Sequence, residues 1–223
     1  MDFVFQERPS DAPFVERVWR TQSQHPGSFI SLAASQWEMV VTKFQGQTTF
    51  TVRGPATKAK PTTFPAEAEF FGIVFDLGTF MPHLPTVQRL DRDDLTLPIA
   101  TGKSFWLKSA VWQLPDFENA DTFVSRLVRD GLLVRDPVVD AVLQDHAPAF
   151  SLRALQYRFV RATGLTHKVI QQIERAHRAR ILLEQGKPIL DTVYETGYFD
   201  QAHLTNSLKR FMGQTPAQIA QVR

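Results

Sequence analysis

Residues Ile189–Pro216 read ILDTVYETGYFDQAHLTNSLKRFMGQTP, and how they parse decides the fold of the C-terminal part of the chain. The spacing predicts a short helix, a tight turn and a second helix. Gly197 follows the last periodic residue of the first helix, where an abrupt stop calls for a left-handed residue. Asp200 can accept hydrogen bonds from the first free N–H groups of the second helix, expected to start at Gln201. There Leu204, Leu208 and Phe211 stand at i, i+4 and i+7 and make one apolar stripe. The opposite face carries Gln201, Ala202, Thr205, Asn206 and Lys209. Small or hydrogen-bonding side chains with a cation at the far end suit a groove lined by base edges and phosphates. Met212-Gly213 ends the helix, and Thr215-Pro216 opens another short one.

Working back from this stretch, Thr166 caps a longer predicted helix through Gln185, with Ile170, Ile173, Ala176, His177, Arg180 and Ile181 implying a wrapped connector. Arg175, Arg178 and Arg180 are expected to pair with Glu174 and Glu184 along it. Ser151–Gly164 (SLRALQYRFVRATG) predicts a further capped helix with Leu152, Leu155 and Phe159 as its buried stripe. Two helices, each followed by a glycine, are thus held apart by one connector. Such a pair can enter successive major grooves, about 34 Å apart on one face of a duplex. Upstream, Asp136-Pro137 opens a short helix to about Gln144, which Pro148 prevents from continuing. Phe123, Leu127 and Val128 mark a helix starting near Asn119 and ending at Gly131.

Residues 1–115 change period. Phe14–Thr21 (FVERVWRT) and Trp37–Phe44 (WEMVVTKF) alternate, and a Gln45-Gly46-Gln47 turn leads from the latter to Thr48–Arg53, a hairpin signal. Ala56–Pro65 reads as a loop, and Glu69–Phe75 (EFFGIVF) as a buried strand. Leu90–Ile99 and Ser104–Val111 are weaker strand candidates. The expectation is an α+β chain: an antiparallel β barrel or sandwich over residues 1–130, then an all-α domain over 131–223.

Composition sets the limits. Of 223 residues, 43% are hydrophobic and 22% charged, enough for a packed core and against disorder. No apolar run approaches the roughly 20 residues that span a bilayer, and MDFVFQERPSD shows no secretion signal. With no cysteine, disulfides and thiolate metal sites are out, and a cytoplasmic location is the expectation. The net charge of +2 is uneven. Residues 151–223 hold eleven Lys and Arg against five Asp and Glu, a net of +6, leaving −4 for residues 1–150. A basic tail on an acidic body points to a polyanion partner for the tail.

At SLRALQYRF…ATGLT, IERAHRARILLEQG and PILDTVYETGYFDQAHLTNSLKRFMGQTP the chain resembles the AraC-type transcriptional regulators. The combination GY-x-DQ-x-HL with L-K-R-x-x-G-x-TP carries the resemblance, which covers about Ser151 to Gln218. It implies an N-terminal β domain, often cupin-like, that senses a small molecule or mediates dimerisation. It also implies a C-terminal domain that binds double-stranded DNA through two helix-turn-helix units. On that footing the first recognition helix presents Arg153, Gln156 and Tyr157, and the second Gln201, Ala202, Thr205, Asn206 and Lys209. The chain departs from the family in three places. Tyr157 and Asn206 stand where many members have arginine, the commonest reader of guanine. Only Asp145 to Phe150 separate the short preceding helix from Ser151, so the first unit is either complete or degenerate.

Catalytic signatures are sparse. Residues 36–80 hold no His, and His25 and His83 are isolated, so a cupin-type metal centre lacks its clustered ligands. No G-x-S-x-G elbow, phosphate-binding glycine loop or H-E-x-x-H occurs. Asp91, Asp93 and Asp94 read as a solvated turn. No cofactor is expected. For an effector in the β domain, Trp37, Met39, Phe50 and Phe71 offer aromatic and thioether surface, and Arg53 a cation beside Lys58 and Lys60. The expected function is a sequence-specific DNA-binding regulator, with a small-molecule effector and a homodimer among its partners. The alternatives are a ligand-sensing or protein-interaction module that has lost sequence-specific DNA binding, and a β-barrel enzyme with a helical appendage.

Overall fold

The computed structural model describes residues 3–92, 94–144, 146 and 150–221; Asp93, Asp145 and Pro148 lie outside them. An antiparallel β-rich domain is followed by a helical one. The β domain is built on a six-stranded sheet in the order β1 (Phe3–Arg8), β2 (Val15–Ser23), β7 (Ala68–Phe75), β4 (Glu38–Phe44), β5 (Gln47–Arg53) and β9 (Leu95–Leu97). The β4–β5 hairpin turns at Gln45 and Gly46, both with positive φ (50° and 74°), as a two-residue turn matched to strand twist requires. Opposite Met39 lies Val52 and opposite Val41 lies Phe50, so period-2 alternation puts these four on one face. That face buries Met39, Phe50, Ile73 and Phe75 against β10 (Ile99–Thr101), β11 (Ser104–Leu107), β12 (Ala110–Gln113) and α1 (Ala120–Arg129). Phe50 meets Phe105 edge-on at 4.6 Å, and Phe123 of α1 meets both Phe50 and Trp112 at 6.3 Å.

Part of the expected loop Ala56–Pro65 is a strand. Lys60–Phe64 (β6) pairs antiparallel with β3 (Gly27–Ser31). Thr62, Thr63 and Phe64 favour extended backbone, and a two-stranded ribbon tolerates Pro61 as no central strand would. This ribbon faces the second side of the main sheet. Two further strands pair with each other: β8 (Thr79–Phe80), and β13 (Val134–Arg135), which follows α1 and leads into the helical part.

The helical part contains α2 (Pro137–Leu143), α3 (Leu152–Thr163), α4 (His167–Glu184), α5 (Ile189–Glu195), α6 (Gln201–Met212) and α7 (Pro216–Gln221). Its boundaries follow the local signals. Asp136, Ser151, Thr166 and Asp200 each accept a backbone N–H as N-cap. One core joins Phe159 and Ala162 of α3 to Ile170, Ile173 and Leu183 of α4 and to Leu204, Leu208 and Phe211 of α6, with Ala33 and Phe80 of the β domain inside it. The domains therefore share buried apolar surface. Among the described residues no helix is long and apolar enough to cross a membrane.

Candidate nucleic-acid interface and a cleft in the β domain

The Asp200 carboxylate accepts the His203 N–H at 2.7 Å and starts α6, and Gly213 (φ 70°) stops it in the left-handed region. Tyr198 is buried behind the turn, its hydroxyl 2.7 Å from Ser207 Oγ and its ring 5.0 Å from that of His203, edge to face. His203 is thus a packing partner of the turn. With Leu204, Leu208 and Phe211 turned inward, Gln201, Ala202, Asn206 and Lys209 are exposed on one outward face. Thr205, half-buried among them, donates its hydroxyl to the Gln201 carbonyl at 2.8 Å, which leaves its oxygen as an acceptor.

α3 repeats this construction. Both helices have twelve residues, a side-chain N-cap and a left-handed glycine after the last turn. Counted from the caps, Arg153, Gln156, Tyr157 and Val160 take the places of Ala202, Thr205, Asn206 and Lys209. The three polar positions are exposed, Tyr157 by 67%; Leu152, expected in the buried stripe with Leu155 and Phe159, is exposed as well. The pseudo-repeat also exposes a difference, because α3 has Val160 where α6 has its cation. Arg158 points elsewhere: it forms a bidentate pair with Asp136 (2.7 and 3.1 Å) and lies 5.0 Å over Phe150. Arg161 lies 5.8 Å from the centre of the Phe80 ring. The described helix next ahead of α3 is α2, of only seven residues, and it ends at Leu143.

On α4, Arg180 pairs with Glu184 at 2.8 Å as expected. Arg175 and Arg178 instead donate to the Gly197 and Glu195 carbonyls at 3.3 and 2.5 Å, and Arg175 sits 4.3 Å over Tyr198. The Glu195 carbonyl, the last of α5, lies at the negative end of the helix dipole and attracts Arg178, while Arg175 takes the Gly197 carbonyl in the turn that follows. These arginines brace the turn ahead of α6. Sequence gave no warning of Phe199, 91% exposed in the same turn, or of Tyr194, 82% exposed.

In the β domain the effector candidates separate by face. Met39 and Phe50 are fully buried in the core. Trp37 stacks on Phe75 at 4.0 Å and donates to the Thr79 carbonyl at 2.6 Å. Phe71 is buried on the same side. Arg53 faces the other way, into a cleft of about 560 Å³ between the main sheet and the β3–β6 ribbon. Phe5, Phe29, Phe64 and Phe70 form its apolar walls. Across its floor Trp19 donates to Glu38 at 3.1 Å, and Arg53 bridges Glu38 at 3.4 Å and Asp94 at 2.8 Å. Burial lowers the Arg53 pKa, but the two carboxylates outweigh it and hold the group above its ordinary value, so it remains a cation. The hydroxyls of Thr21 and Thr62 on the walls are buried without a hydrogen-bond partner among the described residues. Of the alternating run Phe14–Thr21, Arg17, Trp19 and Thr21 line this cleft, a role the alternation alone did not assign.

The family model described as a helix-turn-helix domain matches residues 147–221. Comparison with curated proteins found no match. Among solved structures, ToxT from Vibrio cholerae aligns over 97% of both chains at 10% identity and a TM-score of 0.39. ToxT from Vibrio cholerae O395 aligns over 98% of this chain and 99% of that one, also at 10% and 0.39. The O395 protein bound to (E)-4-(8-methylnaphthalen-1-yl)but-3-enoic acid aligns over 97% and 98% at 11% and 0.38. The caps, the two outward faces and the matched segment agree with one another, and the C-terminal third of this chain belongs to the AraC-type helix-turn-helix domains.

Proposed function

We propose that the chain is a transcriptional regulator that reads DNA with α6 and responds to a small molecule bound in the β domain. The outward face of α6 carries the reading: Gln201, Ala202, Thr205, Asn206 and Lys209 stand free of the core on a capped helix, in the basic third of the chain. Asn206 is the base reader, with an amide that can pair bidentately with adenine, and Lys209 meets phosphate. Arg153, Gln156 and Tyr157 on α3 supply a second contact, with the cation Arg153 near the start of the helix where α6 has Lys209 near its end. The cleft supports the effector half of the reading. Its aromatic walls, the Arg53–Glu38 pair and the unpartnered Thr21 and Thr62 hydroxyls suit a molecule with a flat apolar body and one polar end.

Selection of bound DNA from a random pool tests the proposal. A motif read in two halves supports both helices, and one half alone supports α6. Recovery of no motif would favour the alternative, a sensing or interaction module, which the exposed Tyr157 would then serve. Lys209→Ala should weaken binding to every sequence and reduce the salt slope of binding by about one unit. Asn206→Ala should relax preference at one base pair by roughly 1–3 kcal/mol; an equal loss on all sequences would remove Asn206 from the reading face.

A further inference from the structure

The two reading helices are held in different ways. α6 rests on α4, α5 and α7, whereas α3 rests chiefly on α2, β8 and the short 3-10 turn Thr86–Arg89 that belongs to the β domain. The C-terminal ends of both helices are nevertheless fastened to the β domain. At the end of α6, the Phe211 carbonyl accepts the Ala33 N–H and the Arg210 carbonyl accepts the Ala59 N–H, both at 2.8 Å. Arg210 Nε donates back to the Thr57 carbonyl at 3.3 Å. The α6 stop residue Gly213 is seated so closely that a Cβ there would come within 2.8 Å of Ile30. At the end of α3, Thr86 Oγ1 donates to the Arg161 carbonyl at 3.2 Å, and a Cβ on Gly164 would stand 3.2 Å from the Thr86 backbone. Carbonyls that a helix leaves open are capped here by another domain.

α6 is fastened by residues 30–33 and by segment 54–59, and α3 by segment 86–92; the last two segments meet. One carboxylate joins the two. Asp91 accepts the Thr57 N–H at 2.6 Å on one oxygen and the Thr57 hydroxyl at 2.5 Å on the other, while its own N–H donates to the Pro55 carbonyl at 3.1 Å. Thr57 is buried, and Gly54 packs so tightly that a Cβ would lie 2.3 Å from the Arg89 carbonyl oxygen. Asp91 sits in the left-handed region at φ 51°, a conformation that Asp tolerates better than most residues. The aspartate cluster that reads as a solvated turn in the sequence thus contributes one of its members to a joint. Asp94 binds Arg53 on the cleft side.

From this geometry we infer that Asp91 is a positioning residue: by locking segment 86–92 to segment 54–59 it fixes the separation and angle of α3 and α6, and so the spacing of DNA half-sites the protein accepts. The inference rests on the DNA-reading proposal for its biological meaning, but the joint itself can be tested without DNA. The chain has no cysteine, so Leu152→Cys on α3 and Lys209→Cys on α6, both exposed positions, give a clean pair of spin-label sites for double electron–electron resonance. In the DNA-free protein the distance distribution should be narrow. Asp91→Ala should broaden it, and Asp91→Asn, which can still accept from the Thr57 N–H and donate to its hydroxyl, should largely restore it. A distribution as narrow in Asp91→Ala as in the parent, or as broad in Asp91→Asn as in Asp91→Ala, overturns the inference. If Asp91→Ala does not fold, Thr57→Val carries the comparison, since it removes the hydroxyl arm and keeps the backbone. Without the labels, Asp91→Ala should lose preference between operators whose half-sites differ by one or two base pairs, while its binding to random DNA is unchanged. Retained spacing preference counts against the inference. A parent protein that binds no DNA refutes the functional proposal instead, and the label distances still decide the joint.

Discussion

Asp136→Ala is expected to lower the stability of the folded chain by roughly 2–4 kcal/mol and to loosen α3 more than α6. Two losses combine. The carboxylate accepts the Val138 N–H at 3.0 Å and caps α2, and loss of such a cap costs about 1 kcal/mol. The same carboxylate grips Arg158 with both oxygens. The Asp136 side chain is only 13% exposed, so the guanidinium left behind has few other partners beyond Phe150. Breaking a fully buried pair from one side costs about 3–5 kcal/mol. Arg158 keeps a third of its surface in water, which reduces that figure. Against a typical total stability of about 5–15 kcal/mol this is a large fraction. Denaturant unfolding gives the magnitude, and Arg158→Ala separates the terms, because it removes the pair and leaves the cap. Equal, small losses below about 0.5 kcal/mol for both variants would show the pair to be an ordinary surface contact. Backbone amide exchange in α3 should accelerate before that in α6, because α2 and Arg158 brace only α3.

The helical third was legible because its information is local. A capping side chain and a terminal glycine lie within one turn of the backbone groups they satisfy, so Ser151, Asp200, Gly164 and Gly213 could be placed from sequence and were found in those roles. The β domain was legible only in part. Alternation in Trp37–Phe44 and Thr48–Arg53 gave the hairpin, but the turn is one residue shorter than Gln45-Gly46-Gln47, since Gln47 already pairs with Phe44. Period 2 divides residues between two faces without saying which face is covered. That is why Met39 and Phe50 belong to the core that α1 completes, while Arg53, one step out of phase, looks into the cleft. β3 and β6 are short, polar and separated by almost thirty residues of intervening chain, so neither announces the other. Asp91, Arg175 and Arg178 share that difficulty: each bonds backbone or side chain far along the sequence, and the nearest charged neighbours offer a more obvious but mistaken partner.

Gly72→Ala should destabilise the β domain by roughly 1–3 kcal/mol, the usual range for overpacking a closed site, although the substitution adds one methyl group to a strand. Gly72 lies in β7 opposite Trp19 of β2. The indole lies flat across it, so an added Cβ would stand 2.2–2.5 Å from three ring atoms, Cε2, Nε1 and Cζ2. No rotation of a methyl relieves this; the ring must leave. Its departure breaks the bond from Trp19 Nε1 to Glu38 Oε2, leaving Oε1 to Arg53 alone, and pushes the indole into the volume of the cleft. The stacking of Phe5 on Trp19 at 6.2 Å moves with it. A double-mutant cycle identifies the cause. In a Trp19→Ala background the same Gly72→Ala change should cost little, since the space above the strand is then open, and extended backbone at a non-glycine residue carries no penalty. If the cost is the same with and without the indole, the strain lies in the strand itself, and Trp19 is not the reason β7 has glycine at its centre.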